Sequence, residues 1–434
     1  MKMLNMGKGI SAALALLLIL TGCNSETSSE PEETREQEEV EITVWSIWDN
    51  EGSGALLYEA AEQFSEENPN INVTVQGQGG YDGVAEKLNN ALVTKTTPTI
   101  VQIEESLIAR YGPVAEDLTK YMDKEVTDNY IDGLLRSSYE DDTLKAVPMN
   151  RSTPILYVNV DLLKEAGLPE EGPQTWEELK TFAEKLTNKE KGIIGFGGHW
   201  DTDAWFWESA LYSYGGEVVN EDGSEVAFNN EKGYKIVELF QDMTKNGQML
   251  SVYGAQGSQS SMIASQFLEG KVGMMLDSIA AMGGLYKNNE NNIDIQAVYQ
   301  PVGTEHSVVT GGANMIMMKD KTEEEKQAAG EFLEYLASDE FSAKFAIESG
   351  YFPTTKSSLE TPEMKKIYEE NPSYKVAIDQ LQYAHKRPWQ KNWREMYQVI
   401  VEELEVALVD LERDPKEVID TAAKKSQKII DENK

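Results

Sequence analysis

The sequence predicts an α/β protein with doubly wound sheets, because short strands and amphipathic helices alternate from residue 40 onwards. Apolar residues alternate at 41–45, as in a strand, and recur at helical spacing over 56–64. Strands are predicted again at 71–75 and 99–103, with a helix at 84–92 between them. This order of elements forms two right-handed crossovers, which build a parallel sheet. Ligands of such sheets bind outside the carboxyl ends of the strands, so a site is expected there.

Helix-capping signals continue the pattern through the rest of the chain. Thr175 with Glu178 and Thr322 with Glu325 have the spacing of capping boxes, and Asp414 precedes a first-turn proline. Apolar residues at helical spacing follow each cap. Further strands are predicted at 154–158, 271–276, 293–299 and 313–318. A chain of 434 residues with this many elements exceeds one ordinary core and predicts two or three domains.

The charge balance excludes one large class of partners. The chain carries 75 Asp and Glu against 39 Lys and Arg, a formal net charge of −36. A field of this sign opposes the phosphates of DNA and RNA, so no nucleic-acid partner is expected. The single cysteine, Cys23, can form neither an internal disulfide nor a Cys-rich zinc site.

The amino-terminal segment predicts export from the cytoplasm. Residues 1–22 have the pattern of a signal peptide, with two lysines before an almost wholly apolar run at 10–20. The run is shorter than the roughly 20 residues of a membrane span. The following Leu-Thr-Gly-Cys resembles a bacterial lipobox, which implies lipid on Cys23 as the first mature residue. Residues 23–39 would then be a lipidated acidic tether that anchors the protein outside the bacterial cell membrane; the alternative is a buried thiol.

The sequence contains no motif of a common hydrolase or nucleotide-binding enzyme. It lacks a GxSxG elbow, an HExxH metal motif and a Walker loop. His199, His306 and His385 are too far apart in the chain to form a local metal motif. The 75 acids allow too many pairs for glycosidase carboxylates to be located, so a secreted glycosidase stays open as a less favoured alternative. We therefore expect no enzymatic activity, cofactor or metal.

Aromatic residues beside glycines form the most distinctive chemical pattern, at 195–216. A flat indole ring can stack on the C–H face of a sugar while neighbouring polar side chains bind its hydroxyls. Trp200, in a loop before a predicted helix, and Trp48, just after the first strand, are candidate ligand contacts. Trp205 is a weaker candidate, and Trp207 lies on the apolar face of the helix. For each of these tryptophans, packing in the core is the alternative.

Eight segments resemble one known family in composition, order and spacing. They are GQGGYDG at 77–83, PTIVQIEE at 98–105, NRSTPILYVN at 150–159, PQTWEELKTFAEKL at 173–186, FLEGKVGMMLDS at 267–278, GGANMIMM at 311–318, SGYFPTT at 349–355 and VEELEVAL at 401–408. Over about 40–430 the chain resembles the extracellular solute-binding proteins of bacterial ABC importers, in the carbohydrate-binding family, and is most similar to its glycerol-3-phosphate-binding subgroup.

The resemblance implies a ligand site with a role for each residue. The implied contacts are Tyr81, Glu105, Ser152, Ser278, Gly312 and Tyr351. The tyrosines can offer ring faces and hydroxyls, the carboxylate can accept from two ligand hydroxyls, and the serines can donate. The glycine lets a backbone amide approach an anion. A turn at Gly312 and a merely structural hydroxyl at Ser152 are the alternatives.

Two departures from the subgroup bear on the ligand. The subgroup's arginine that pairs with phosphate, near the start of the C-terminal helix, aligns with Tyr397, and Arg394 lies one turn earlier. A phosphate clamp is therefore in doubt. Conversely, Arg151 is an additional guanidinium beside the implied cleft. This exchange favours a neutral sugar or short oligosaccharide, and leaves glycerol 3-phosphate or a glycerophosphodiester as the alternative.

The resemblance also implies an architecture. This is the two-lobed periplasmic-binding-protein-like fold of type II, in which each lobe is a doubly wound sheet and the ligand binds in the cleft between the lobes. Lobe one is expected to contain 40–150 and 311–353, and lobe two 151–310 and 354–434. The chain is expected to cross between lobes near 148–154, 308–312 and 352–356.

The implied function is capture and delivery. The lobes close on the ligand, and the closed state docks on the membrane subunits of an ABC permease. The family implies a monomer. An adhesion or scaffold lipoprotein that binds no small molecule is a further alternative.

Overall fold

The computed structural model describes residues 39–140, 142–200, 204–252, 258–385, 387 and 390–433. The predicted signal peptide, Cys23 and the tether up to residue 38 lie outside these residues, and Glu39–Lys434 forms one compact unit. In the part of the chain that is described, no helix combines the length and apolar character needed to cross a membrane.

Most strands belong to two sheets of five. The strands are β1 Val40–Ser46, β2 Ile71–Gly77, β3 Ile100–Glu104, β4 Tyr139–Glu140, β5 Thr143–Leu144, β6 Val147–Ser152, β7 Pro154–Asn159, β8 Ile194–Gly197, β9 Met249–Leu250, β10 Val272–Ser278, β11 Ile295–Val298, β12 Val308–Val309, β13 Gly311–Met317 and β14 Ala384–His385. The first sheet has the order β2-β1-β3-β13-β6, and the second has the order β11-β7-β10-β8-β9.

Helices cover the faces of both sheets. They are α1 Ser53–Glu67, α2 Gly80–Thr94, α3 Ile108–Tyr111, α4 Lys124–Asn129, α5 Asp132–Leu135, α6 Val160–Glu165, α7 Trp176–Leu186, α8 Trp205–Ser213, α9 Glu231–Lys245, α10 Gln259–Leu268, α11 Met282–Lys287, α12 Glu323–Leu336, α13 Asp339–Ser349, α14 Pro362–Glu370, α15 Pro372–Gln380, α16 Trp393–Val409 and α17 Pro415–Glu432. Short 3₁₀ turns follow several strands and helices.

The predicted caps form as hydrogen bonds. Thr322 and Glu325 make both bonds of a capping box at α12. Thr175 Oγ1 accepts from the N–H of Glu178 at 3.1 Å at α7, and Asp414 accepts from Lys416 at α17. Since each bond satisfies a backbone donor that the first helical turn leaves free, these residues fix where their helices begin.

The two sheets are buried on both faces, which explains their apolar sequences. In β1, Ile42 and Val44 pack in one core, whereas Ile47 just after the strand packs in another. In β10, Met274 and Leu276 face one core and Met275 faces the other. This alternation with period two, apolar on both sides, is typical of sheets that lie between helical layers.

Strand direction is mixed in both sheets. β1 is parallel to β2 and β3, as the strand–helix alternation predicts, but β13 runs antiparallel to β3 and β6. The reason is the path of the chain: β6 ends at Ser152, only Thr153 separates it from β7 in the second sheet, and β13 returns to the first sheet afterwards. β13 therefore begins beside the carboxyl ends of the parallel strands, although it lies between β3 and β6 in the sheet.

Ion pairs of Glu116, which lies beside β13, bind α12 and predict that folding stability falls in acid. Glu116 binds Lys326 Nζ at 2.9 Å and Lys120 Nζ at 3.1 Å, and it accepts from the N–H of Asp117. Burial disfavours the charged carboxylate, but these hydrogen bonds outweigh burial and lower the pKa of Glu116 to about 2. Because the folded pKa lies below the ordinary value of 4.5, the stabilisation is complete above pH 4.5 and is lost as the pH falls towards 2.

We expect Glu116→Gln to remove about 2 kcal/mol of the stability that the wild type loses between pH 7 and pH 3. Urea unfolding at pH 7 and at pH 3 measures it: the wild type should weaken more between the two pH values than the variant does. Asp128→Asn removes a carboxylate from an exposed pair with Lys124 and is the control. Equal acid slopes for the wild type and Glu116→Gln would contradict the assignment.

Candidate ligand-binding cavity

A cavity of about 870 Å³ lies where residues of both sheets meet. The first sheet contributes the residues that follow β2 and β3 and those at the junction of β6 and β13. The second contributes Ser278 and Ala280 after β10, and α8 and α16 complete the lining. The ends of the parallel strands β2 and β3 therefore meet at the cavity, as the doubly wound prediction requires.

Five of the implied ligand contacts line this cavity. They are Tyr81, Ser152, Ser278, Gly312 and Tyr351. They lie up to 270 residues apart in the sequence, and the crossings between the sheets bring them together. Ser278 accepts the N–H of Ala280 at 3.1 Å with its Oγ, which leaves its O–H as a donor for a ligand.

Tyr81 is placed by a glycine turn at the start of α2. Gly79 and Gly80 have φ of 83° and 90°, a conformation that glycine adopts without strain, and Tyr81 follows in the first helical turn. Asn150 Nδ2 donates to the Tyr81 hydroxyl at 3.3 Å. Tyr81 is thus held at the cavity by the backbone of the first turn of α2 and by the hydrogen bond from Asn150 of β6.

Gly312 allows two backbone segments to touch. Its φ is 91°, and a Cβ on this residue would lie 1.8 Å from the carbonyl oxygen of Asn150. No side chain fits there without moving β6 or β13. The backbone contact therefore requires glycine at this position, and Gly312 lines the cavity; its role as a ligand contact stays a prediction.

Tyr351 belongs to a small aromatic wall. Its ring centroid lies 6.0 Å from that of Trp48 and 5.8 Å from that of Phe345. Burial raises the pKa of Tyr351, so its hydroxyl stays protonated and can donate. Trp48 does not itself line the cavity but is partly buried behind Tyr351 and supports its ring.

Glu105 and Arg151 bind each other instead of projecting into the cavity. They form an ion pair and are 4% and 0% exposed. Arg151 also donates through Nε to the carbonyl of Gly311, through one terminal nitrogen to Leu134 and Asn314, and through the other to Thr310. These contacts use all five guanidinium donors. Arg151 thus offers no free donor to a ligand and serves as a structural clamp.

The tryptophans of 195–216 divide between core and cavity. Trp200 is 1% exposed and stacks on Phe240 with centroids 4.6 Å apart, so it lies in the core of the second sheet. Trp207 is also fully buried there. Trp205 lines the cavity, and its indole Nε1 donates to the carbonyl of Thr310 at 3.4 Å. The weaker sequence candidate is therefore the one at the cavity.

One face of α16 lines the cavity and was missed by sequence reasoning, apart from Arg394. Its residues there are Arg394, Gln398, Val401, Glu402 and Glu405. Their spacing of three and four residues places them on one side of the helix. In the sequence, these polar residues have the pattern of a solvent-exposed helix face. They are recognised as cavity residues only once the structure places α16 opposite residues of the first sheet.

Glu104, also missed, is the last residue of β3 and one of the carboxylates that line the cavity. Its Oε1 accepts from the N–H of Ser106 at 3.1 Å and from Arg387 at 3.2 Å. Arg387 binds Glu208 as well, at 2.7 Å, and Tyr397 at 2.9 Å. Burial disfavours the charged form of Glu208 more than Arg387 favours it, so the pKa of Glu208 is raised to about 7. Tyr397, which the resemblance aligns with the subgroup's phosphate-pairing arginine, binds Arg387.

Charges at the cavity are mainly negative. Asp82, Glu104, Glu402 and Glu405 line it, with Arg394 as the cation among its described lining residues. Arg394 is ion-paired with Asp82, which joins α16 to α2. A second pair, Arg110 of α3 with Glu395 of α16 at 2.9 Å, joins α16 to α3.

Comparison with known proteins finds relatives that cover most of the chain. The chain is 24% identical over 415 residues to the sn-glycerol-3-phosphate-binding periplasmic protein UgpB of Escherichia coli strain 536, which covers 90% of this chain and 93% of that protein.

Two solved structures share the fold. Maltose-bound MalE3 of T. maritima has a TM-score of 0.79 at 23% identity and covers 90% of this chain and 100% of its own. UgpB of Mycobacterium tuberculosis, in complex with glycerophosphocholine, has a TM-score of 0.78 at 23% identity, with 90% and 98% covered. The predicted two-lobed α/β fold of type II is confirmed. The family model of bacterial extracellular solute-binding proteins matches residues 59–374, and the chain belongs to that family.

Proposed function

We propose that this protein captures a neutral sugar or short oligosaccharide for an ABC importer and releases it to the membrane permease. The observation that carries the proposal is the cavity, which combines tyrosine and tryptophan rings with serine hydroxyls, exposed backbone and carboxylates. Sugars offer C–H faces to such rings and many hydroxyls to such polar groups. We propose Tyr81, Ser152, Ser278, Gly312 and Tyr351 as ligand contacts.

The charges at the cavity favour a neutral ligand over a phosphate. Four carboxylates line it against one guanidinium, that of Arg394, and this guanidinium is engaged by Asp82. Arg151 is fully paired inside the protein, and Arg387 lies between Glu104 and Glu208. A phosphate would meet repulsion without a free bidentate partner among these arginines.

Glycerol 3-phosphate or a glycerophosphodiester is the second candidate ligand. Arg394 at the cavity favours it, since exchange of Asp82 for a phosphate would preserve an ion pair. The relatives support both ligand classes: those named above bind glycerol 3-phosphate, glycerophosphocholine and maltose.

Closure of two lobes on the ligand is the proposed mechanism. We assign 40–150 and 311–353 to lobe one and 151–310 and 354–434 to lobe two. The pairs Arg394–Asp82 and Arg110–Glu395 join residues of opposite lobes in this assignment, and opening would separate them. Binding and delivery require no bond chemistry, so we propose that the protein is not an enzyme.

The proposed location is outside the cell, attached to the membrane by lipid on Cys23, as the sequence pattern indicates. The acidic residues that follow Cys23 would keep the binding domain solvated and away from the bilayer. We propose that the protein acts as a monomer.

A ligand panel tests the function. Thermal unfolding is measured with monosaccharides, maltose, maltotriose, glycerol 3-phosphate and glycerophosphocholine, since a ligand that binds only the folded state raises the melting temperature. We expect a rise with a neutral sugar and no new compound by chromatography after overnight incubation. A sugar that is cleaved would instead support the glycosidase alternative, and a flat panel would support a scaffold lipoprotein.

Removal of the Tyr351 ring is expected to weaken binding of the best ligand by about 1–3 kcal/mol, roughly 5- to 150-fold. Titration calorimetry on Tyr351→Ala measures the loss. Tyr335→Ala is the matched control, because Tyr335 packs on Phe64 away from the cavity. Unchanged affinity in Tyr351→Ala would remove this residue from the proposed site.

A further inference from the structure

Glu104 has room for one more hydrogen bond. Its Oε1 accepts from Ser106 N and from Arg387, and its Oε2 accepts from the Ser106 hydroxyl. A carboxylate offers about four acceptor sites, so the contacts among the described residues leave one on Oε2. This residue lines the cavity, whereas its neighbour Glu105 is occupied by Arg151, Thr310 and Ser137.

Arg387 contacts Glu104 from the side of α8 and α16. It lies between β14 and α16, and its guanidinium is held by two contacts to Glu208 of α8 and by the hydroxyl of Tyr397. The rings of Trp393 and Tyr397 lie 5.9 and 5.1 Å from the guanidinium carbon. These three partner residues belong to α8 or α16, which pack in the core of the second sheet. Glu104, by contrast, belongs to the first sheet.

We propose that Glu104 accepts a hydroxyl of the bound ligand and that Arg387 is the positioning residue that orients its carboxylate when the lobes close. This inference rests on the proposed function, because it requires a hydroxylated ligand and lobes that close. Ser106 holds both oxygens from lobe one, and Arg387 adds a contact to Oε1 from lobe two, so closure completes the set of contacts that orients the remaining acceptor direction on Oε2. Hydroxyl recognition and closure are thereby coupled.

A double-mutant cycle tests the proposal with the tightest ligand of the panel described above. Glu104→Gln keeps the shape of the side chain but replaces one acceptor oxygen with a donor, and should weaken binding about 10- to 100-fold. Arg387→Met should weaken it by a similar factor. Because both variants act through the same carboxylate, the double variant should bind about as weakly as the worse single variant.

Two further measurements separate positioning from general effects. A deoxy analogue that lacks the recognised hydroxyl should bind the wild type more weakly than the parent ligand, and this preference should vanish in Glu104→Gln. Arg387→Lys should retain part of the affinity. Asp128→Asn removes an exposed carboxylate paired with Lys124, outside the cavity lining, and should leave both affinity and preference almost unchanged.

Folding is checked by circular dichroism and melting. If Arg387→Met alone fails to fold because Glu208 is left buried and unpaired, the Glu208→Gln/Arg387→Met variant takes its place. Multiplicative losses in the cycle, or a Glu104→Gln variant with wild-type affinity, would overturn the proposal. If the panel yields glycerol 3-phosphate as the ligand, the neutral-sugar proposal fails, and the same cycle still decides the role of Glu104 through the glycerol hydroxyls. If no compound binds, both fall together.

Discussion

Arg151→Met is expected to lower the free energy of unfolding by about 3–5 kcal/mol. The variant leaves Glu105 as an uncompensated charge at 4% exposure, and it removes donors from Thr310, Asn314 and the carbonyl of Gly311. Urea unfolding followed by circular dichroism measures the loss as a lower midpoint. Ligand affinity should be less affected wherever the variant is folded, because Arg151 does not contact the cavity.

Two controls make this test specific. In Arg151→Met/Glu105→Gln the buried charge is gone, so much of the stability should return. Lys124→Ala breaks an exposed pair with Asp128 and should cost less than about 1 kcal/mol. If Arg151→Met were as stable as Lys124→Ala, the clamp assignment would be wrong.

Gly312→Ala is the second large effect. The new methyl group would lie 1.8 Å from the carbonyl oxygen of Asn150, a backbone atom, and the residue would keep a φ of 91°. Strain in the left-handed region costs on the order of 1–3 kcal/mol, and relief of the clash must move β6 or β13. We expect reduced stability and a loss of ligand affinity of 10-fold or more, measured by melting and calorimetry.

Gly79→Ala separates strain from clash. Gly79 also lines the cavity and has a φ of 83°, but a Cβ there meets no atom within 4 Å. It should therefore show only the backbone cost, without displacement of β6. Equal effects at the two glycines would contradict the close contact between Gly312 and Asn150.

Much of the fold could be predicted from local signals. Helix starts at Thr175 and Thr322 follow from side-chain hydrogen bonds that the sequence displays directly. Strand direction cannot be predicted from local sequence. β13 is antiparallel because the chain forms strands of the second sheet before it returns to the first, and the residues of β13 do not indicate that path.

The site was predicted less evenly, for reasons of side-chain direction. Glu104 and Glu105 are adjacent, but Glu104 ends a strand while Glu105 opens a 3₁₀ turn, so one faces the cavity and the other faces Arg151. Composition alone cannot order two neighbouring glutamates. Likewise, the sequence places Trp200 in a loop before a helix, as for an exposed residue. In the structure it stacks on Phe240 of α9 and is buried in the core.

A crystal structure with the tightest-binding sugar of the panel tests the central claim most directly. The sugar should lie between Tyr81, Tyr351 and Gly312, with a hydroxyl within hydrogen-bond distance of Glu104. Sugar bound outside this cavity, for example in the groove between β11 and α15 that Tyr299 and Val376 line, would contradict the account.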